Sequence, residues 1–269
     1  MMLNYRAPAK LNLFLNIVKK RSDGYHDIQS IFQLIDLYDE LSFKERKDNL
    51  INLSCNNKKI VTNNIIIEAI NTFLEYTGVK KIGMEIYLKK NIPIGGGLGG
   101  GSSDAATCLI ALNELYNTKL KFSQLNILAK KIGSDVPFFL YNKSAWVEGT
   151  GDIVTPIFVE PSWFVLIFSR HNVSTTQIFS KYKIKSHYKN YSYDDYMMGV
   201  AKNDFENIVF KEYPSIYESY KKLSSYGHAR MTGSGGTVFL PQKSLLDAEK
   251  VLSSLPKKEK ALIVKSLDI

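Results

Sequence analysis

The most distinctive chemical feature of the sequence is a glycine run at residues 93–103, PIGGGLGGGSS. Six of the seven positions from Gly95 to Gly101 are glycine, and a backbone without Cβ atoms can adopt positive φ, so that successive N–H groups converge on an anion. An apolar helical pattern starts at Ser102, and the N-terminus of a helix carries partial positive charge that favours phosphate. Tight turns need far fewer glycines, so the run predicts a phosphate-binding loop.

The glycine run does not fit the two most familiar phosphate-loop patterns. The pattern GxxxxGK[ST] is absent because no lysine follows the last glycine. Gly95, Gly97 and Gly100 satisfy GxGxxG, but a dinucleotide site also needs an acidic strand end about 20 residues further on. Glu114 instead falls inside the predicted helix. The dinucleotide interpretation is therefore rejected.

Other candidate residues are ambiguous when they are taken alone. Lys10 stands among apolar neighbours in a strand pattern, where a lysine usually reaches the surface. Asp135 follows Gly133 and precedes Val136-Pro137, a setting typical of a turn or helix-cap residue. The segment 231–237, MTGSGGT, is a second glycine-rich loop, which taken alone fits a hairpin turn.

The elements that must position these residues show both strand and helix patterns. Alternation of apolar and polar residues predicts a strand over 9–19, which carries Lys10, and another over 84–90, which leads into the glycine run. Helical spacing from Asn63 and a stop at Gly78 predict a helix over 63–76. Further predicted helices are 102–116 and 123–132, and further predicted strands are 28–37, 40–43, 50–54, 137–141, 145–148 and 163–169. We predict a domain boundary in 154–162 and an exposed loop over 183–195.

Composition narrows the class of protein. The chain has 269 residues, 45% of them hydrophobic and 23% charged, which excludes a disordered, collagen-like or coiled-coil protein. Cys55 and Cys108 stand far apart and form no CxxC pair, so we expect no disulfide scaffold and a reducing, cytoplasmic location. We also expect no secretory signal and no membrane span, since no stretch reaches ~18 uninterrupted apolar residues. The net charge of +9 favours anionic partners.

Four blocks of the sequence together resemble the GHMP small-molecule kinases. They are the glycine run with the DAA that follows it, the N-terminal APAKLNLFLNIVKKRSDGYH, the GSDVP segment at 133–137 and the ARMTGSGGTVF segment at 229–239. The resemblance implies an α/β (α+β) fold of two subdomains with the active site in the cleft between them. It places an N-terminal domain with the ATP-binding loop at residues 1–155 and a C-terminal domain at residues 156–269.

The resemblance also implies an ATP-dependent kinase and roles for the residues at matching positions. Lys10 and Asp135 are the implied catalytic pair, in which the aspartate accepts the proton of the attacking hydroxyl and the lysine keeps it ionised and orients both groups. The third glycine motif corresponds to Gly233, Ser234 and Gly235. The implied ATP-binding residues are Pro93, Ile94, Gly95, Gly96, Gly97, Leu98, Gly99, Gly100, Gly101, Ser102 and Ser103. Mg²⁺ is expected with the nucleotide, and no protein ligand to it is assigned.

The N-terminal block distinguishes between branches of this superfamily. It is similar to that of kinases whose acceptor alcohol carries a cytidine diphosphate group, in which the tyrosine and histidine of a GYH motif hold the cytosine ring. The matching residues here are Tyr25 and His26, with Phe179 as a second stacking aromatic and Asn12 as a further substrate contact. Stacking of a base on an aromatic side chain contributes ~1–3 kcal/mol. We therefore expect a small-molecule substrate, no nucleic-acid or membrane partner, and a monomer or weak homodimer.

Two alternatives stay open on the sequence alone. One is another kinase of the same superfamily, such as a homoserine or mevalonate kinase, against which the GYH motif counts. The other is an RNA-binding module, because the N-terminal fold of the superfamily recurs in a ribosomal protein and the chain is basic. An RNA binder would not need Lys10, Asp135 and two glycine-rich segments together, and its affinity would fall steeply with salt.

Overall fold

The computed structural model describes residues 2–57, 64–80, 83–184 and 189–267. The chain forms two compact units, each assembled from separate stretches of sequence. The first unit consists of Met1–Ala9, Leu37–Ile92 and Gly99–Asn142, and the second of Lys10–Asp36, Pro93–Leu98 and Lys143–Ile269. Two long strands, β1 (Met2–Lys20) and β2 (His26–Arg46), contribute to both units. The division at residues 155 and 156 stays a prediction.

The first unit combines a small sheet with four helices. Strand β3 (Ile51–Cys55) runs parallel to β4 (Gly83–Lys89), and β4 pairs antiparallel with residues 40–46 of β2. The helices are α1 (Ile65–Thr77), α2 (Gly100–Leu115), α3 (Phe122–Ile132) and α4 (Val136–Tyr141). The predicted strands at 50–54 and 84–90 and the predicted helices at 63–76, 102–116 and 123–132 are confirmed in type. The predicted strands at 28–37 and 40–43 are parts of the single strand β2.

Local sequence explains where α1 begins and ends. The Asn64 side chain accepts a hydrogen bond of 2.9 Å from the Ile66 N–H, which satisfies one of the free donors of the first turn. Gly78 adopts the left-handed conformation with φ of 63°, and its N–H donates to Leu74 O. The cap and the stop that the sequence pattern indicates are therefore both used, although Asn63 itself lies outside the described residues.

The predicted strand at 137–141 is wrong, because these residues form the helix α4. Pro137 occupies the first turn, where its fixed φ suits a helix and its missing N–H is not needed. Phe138 and Phe139 are both buried, so the segment has no exposed face to produce an alternating pattern. A short apolar run of this kind cannot be assigned to strand or helix from periodicity alone.

The second unit contains two groups of strands. Residues 28–32 of β2 pair antiparallel with β5 (Ala145–Gly149), and β5 pairs with β6 (Ile153–Pro156). A four-stranded antiparallel sheet has the order β10-β7-β9-β8, with β7 (Trp163–Phe168), β8 (Arg230–Met231), β9 (Thr237–Gln242) and β10 (Ala261–Lys265). The helices are α5 (Thr175–Lys181), α6 (Tyr193–Met197), α7 (Glu206–Glu212), α8 (Pro214–Ser224) and α9 (Leu245–Ser254). The predicted strands at 145–148 and 163–169 are confirmed.

The segment predicted as an exposed loop over 183–195 lies partly outside the described residues. Its described part includes the start of α6 and is attached to the strands, since the Tyr191 N–H donates to Gln29 Oε1 over 2.8 Å and the Tyr191 ring contacts Phe14 edge-on. Helices and strands thus occur in both units, and the predicted mixed fold class is confirmed. Over the residues that the structure describes, we find no helix with the length and apolar character to cross a lipid bilayer.

Candidate active site

The glycine run uses the backbone freedom that its sequence predicts. Gly95, Gly97 and Gly99 have φ values of 69°, 73° and 70°, a region that residues with a Cβ atom rarely adopt. Residues 93–98 belong to the second unit, and Gly99 starts the stretch of the first unit that continues into α2. The run therefore ends directly at the N-terminus of a helix of 16 residues. Free N–H groups at such an end favour an anion.

The third glycine motif packs against the glycine run within the second unit. A Cβ atom on Gly97 would clash with Thr232 O and would lie 2.9 Å from Gly235 O, and a Cβ atom on Gly233 would lie 2.9 Å from Gly97 Cα. The Thr232 hydroxyl donates to Gly97 O over 3.2 Å. The two glycine-rich segments contact each other through backbone atoms, so both need glycine for this close approach. A hairpin turn alone would not require this contact.

Lys10 lies beside both glycine-rich segments. Its side chain is almost fully buried, its Nζ donates to Asn12 Oδ1, and it lies 4.4 Å from the centre of the Phe32 ring. The Lys10 N–H donates to Leu98 O over 2.9 Å, at the end of the second-unit part of the glycine run. The Asn12 N–H donates to the Thr232 hydroxyl over 2.9 Å. Two predicted site residues on β1, Lys10 and Asn12, therefore lie beside the contact between the glycine-rich segments.

Asp135 lies in the first unit, directly before α4. Its backbone occupies the N-cap position of the helix, yet its side chain makes no capping hydrogen bond to the described residues of α4. The simpler interpretation of Asp135 as a helix cap is therefore not supported. Because Lys10 and Asp135 belong to different units, their pairing stays a prediction.

His26 and Phe179 are brought together in the second unit. Their ring centres are 5.1 Å apart with planes inclined by 41°, and His26 is only 8% exposed. The pKa of the His26 imidazole is held below its ordinary value of 6.5, mainly by burial and to a smaller extent by the nearby charge of Lys20. His26 Nε2 is buried and has no hydrogen-bond partner among the described residues. Tyr25 is 63% exposed, so its ring is open to solvent rather than buried with this pair.

Two contacts around the third glycine motif were not predicted from the sequence. The Asn203 side chain donates to Met231 O over 3.0 Å and to Gly233 O over 2.8 Å, and so holds both sides of the turn. The hydroxyls of Ser234 and Thr175 lie 2.7 Å apart. Asn203 is separated from the motif by about thirty residues, and no local pattern marks it. Its burial at 4% exposure and its hydrogen bonds to the motif become visible in the structure.

Two protein-family models match this chain. The model described as GHMP kinases N terminal domain matches residues 64–143, and the model described as GHMP kinases C terminal matches residues 194–261. The 4-diphosphocytidyl-2-C-methyl-D-erythritol kinase of Buchnera aphidicola subsp. Acyrthosiphon pisum (strain APS) is 40% identical over 272 residues, covering 98% of this chain and 94% of the relative. The protein with the same name from Janthinobacterium sp. (strain Marseille) is also 40% identical, over 97% of this chain and 93% of its own length.

Solved structures show the same similarity. A crystal structure of 4-(cytidine 5'-diphospho)-2C-methyl-D-erythritol kinase superposes with a TM-score of 0.84 at 28% identity, covering 99% of this chain and 100% of the other. The mevalonate kinase of Methanococcus jannaschii superposes with a TM-score of 0.72 at 19% identity, covering 100% of this chain and 99% of that one. At that level of identity the second match supports the fold alone.

Proposed function

Since the chain belongs to the 4-diphosphocytidyl-2-C-methyl-D-erythritol kinases, a family of GHMP kinases that transfer phosphate to a hydroxyl group, we propose that it phosphorylates the 2-hydroxyl of 4-diphosphocytidyl-2-C-methyl-D-erythritol with ATP as donor. This reaction belongs to the non-mevalonate route to isoprenoid precursors. The observation that carries the proposal is the convergence of Lys10, Asn12, residues 93–98 of the glycine run and the third glycine motif within the second unit.

In the proposed reaction, Asp135 is the general base and Lys10 orients the acceptor. The acceptor oxygen forms a bond to the γ-phosphorus, the bond to the bridging β–γ oxygen breaks and ADP leaves, and the hydroxyl proton passes to the Asp135 carboxylate. A buried ammonium group requires acceptors, and Asn12 Oδ1 fixes the direction of the Lys10 side chain. The charge of Lys10 would stabilise the attacking oxygen as the bond to phosphorus forms.

The glycine run is proposed to hold the ATP phosphates. Phosphoryl transfer depends on positioning and on charge stabilisation, with little covalent chemistry for the protein. Mg²⁺ supplies further charge neutralisation when it is bound, and it commonly retains waters and phosphate oxygens as ligands. Within the described part of the chain there is no group of three or more His, Cys, Asp or Glu side chains able to hold a metal ion.

The acceptor's cytosine ring is proposed to bind at His26 and Phe179, with Tyr25 closing over the ring. His26 Nε2 is buried without a hydrogen-bond partner among the residues that the structure describes. This supports the proposal, because an unpaired buried polar atom is costly until a ligand satisfies it. Tyr25 follows the turn at residues 21–24, and its N–H donates to Asp23 Oδ1 over 3.0 Å. Its exposed ring is available to stack on a bound base. A cytoplasmic location and a monomer or weak homodimer remain part of the same proposal.

The direct test is ADP release from Mg²⁺–ATP with the cytidyl alcohol, with mevalonate and with homoserine as acceptors. We expect turnover only with the cytidyl alcohol. Asp135→Asn should reduce kcat by about 10²- to 10⁴-fold, the usual contribution of a general base, while ADP still binds. Asp247→Asn, on the exposed first turn of α9, is the matched control and should be fully active. Turnover with another acceptor would disprove the cytidine assignment, and an active Asp135→Asn would disprove the base.

A further inference from the structure

A buried ionic cluster in the first unit lies at the boundaries of the glycine run, outside the residues discussed so far. It consists of Asp39 on β2, Lys90 directly after β4 and Asp104 on α2. The side chains of Asp39, Asp104 and Lys90 are 0%, 3% and 8% exposed. Charged residues are rarely buried to this degree unless they are paired.

Asp39 holds the backbone that leads into the glycine run. Its Oδ1 accepts the N–H of Asn91 over 2.7 Å and the N–H of Ile92 over 2.9 Å. Its other oxygen, Oδ2, pairs with Lys90 Nζ. One carboxylate thereby fixes three consecutive residues immediately before Pro93, through two backbone bonds and one side-chain bond.

Lys90 joins this anchor to the first turns of α2. Its Nζ donates to Asp104 Oδ2 over 2.7 Å, and a Cβ atom on Gly100 would lie only 3.2 Å from that same Nζ. The ammonium group therefore rests against the first residue of the helix that follows the glycine run. A residue larger than glycine at position 100 would have to displace it.

This arrangement does not follow from stability alone. Buried ion pairs lose much of their solvation, and apolar replacements of similar volume are often as stable or more stable. Burial raises the pKa of Asp104 to about 7, although Lys90 acts in the opposite direction. Asp104 Oδ1 also has no hydrogen-bond partner among the described residues. What the cluster provides is geometric, because it ties the backbone before the run to the helix after it.

We propose that Asp39, Lys90 and Asp104 form a positioning cluster that holds the first-unit boundaries of the glycine run in their nucleotide-binding geometry. This inference rests on the proposed role of the run in binding ATP. A loop that is already ordered loses little conformational freedom when its ligand binds, whereas a loosened loop must be ordered by the ligand and binds it more weakly. The cluster should therefore act on nucleotide affinity rather than on the chemical step.

The test compares Asp39→Ala with Asp39→Asn by calorimetric titration with Mg²⁺–ADP. The alanine removes the carboxylate oxygen that accepts both backbone N–H groups, and we expect about tenfold weaker binding, as for the loss of one hydrogen bond to a charged group. The asparagine keeps Oδ1 as an acceptor for the two N–H groups but loses the ion pair with Lys90, so it should restore part of the affinity that the alanine loses. In steady-state assays of Asp39→Ala, KM for ATP should rise by a similar factor, while kcat at saturating ATP and KM for the acceptor change less than about twofold.

Two further variants separate positioning from general destabilisation. Asp104→Ala places a good helix former in an alanine-rich helix and should fold, with several-fold weaker Mg²⁺–ADP binding. Leu128→Ala removes a fully buried side chain of α3 in the same unit and should lower the unfolding temperature without changing the Kd for ADP. Wild-type ADP affinity in Asp104→Ala would overturn the proposal, and so would an equal loss of affinity in Leu128→Ala. ADP binding needs no acceptor, so the titration stays valid even if the proposed acceptor substrate is wrong. A wild-type chain that binds no ADP would overturn the cluster proposal itself.

Discussion

At the scale of single residues, the protonation state of His26 decides what its free nitrogen can do. The neutral imidazole can accept or donate at Nε2, depending on its tautomer, whereas the cation can only donate. Burial and the charge of Lys20 hold the pKa of His26 below 6.5, so the ring is neutral at pH 7. Loss of the neutral form begins only as the pH falls through the lowered pKa. The KM for the cytidyl acceptor should therefore be constant between pH 7 and 8 and should rise in more acidic solution.

His26→Gln tests this dependence, because an amide can hydrogen-bond at a similar position but does not titrate. We expect KM for the acceptor to rise by roughly tenfold at pH 7, since about one hydrogen bond is weakened, and to lose its rise at acidic pH. Phe179→Leu, which reduces ring contact next to His26, should raise KM while it keeps the wild-type pH profile. Identical pH profiles in the wild type and His26→Gln would refute the role of the imidazole.

At the scale of elements, the contact between the two glycine-rich segments limits which residues can replace their glycines. Gly97 has φ of 73° and faces Thr232 O and Gly235 O. Gly97→Ala combines unfavourable φ with a backbone clash, and we expect it to lower the free energy of unfolding by about 2–4 kcal/mol. Gly101→Ala is the matched control, because its nearest new contact is Ile65 Cγ2 at 3.8 Å and it lies in the first turn of α2.

The control variant should be neutral or more stable by up to about 1 kcal/mol, since alanine favours a helix over glycine. Chemical denaturation of both variants measures the difference directly. Equal stability of Gly97→Ala and Gly101→Ala would mean that the close approach of the two segments does not constrain the fold.

Patterns among neighbouring residues predict those parts of the fold that a short stretch of the chain forms by itself. The glycine run, the stop at Gly78 and the alternation around Lys10 each depend on neighbouring residues, and the structure contains the corresponding turn, helix end and strand. The gap between the predicted strands at 28–37 and 40–43 is absent, because β2 runs through it without a break. Asp39 in this gap is buried, pairs with Lys90 and accepts the N–H groups of Asn91 and Ile92, all more than fifty positions further along the chain. Tertiary pairing of this kind leaves no local pattern.

The division of the chain into units is hidden for the same reason. Strands β1 and β2 each contribute to both units, and residues 93–98 join the second unit although the sequence on either side belongs to the first. Proline-rich stretches mark linkers only where a chain passes once from one unit to the other. The segment 154–162, which has two prolines, instead lies wholly within the second unit. The roles of Lys10 and Asp135 came from resemblance, since each has an ordinary structural interpretation by itself.

At the scale of the whole molecule, the net charge of +9 favours the binding of anions, and both substrates of the proposed reaction carry phosphate groups. A cationic protein attracts anions over a distance set by ionic strength, which is about 10 Å at 0.1 M salt and about 3 Å at 1 M. Attraction of this kind accelerates encounter rather than the later chemical step. We therefore expect kcat/KM for the cytidyl acceptor to fall several-fold as salt rises, while kcat changes little.

A pair of lysine variants distinguishes the total charge from its distribution. Lys20 and Lys258 are both exposed residues of the second unit, and replacing either with glutamine lowers the net charge equally. Lys20 acts electrostatically on His26, so Lys20→Gln should reduce kcat/KM at low salt more than Lys258→Gln does, and the two should converge at high salt. Equal reductions would assign the attraction to net charge alone. A flat salt profile of the wild-type enzyme would show that the basic surface serves no part of substrate capture.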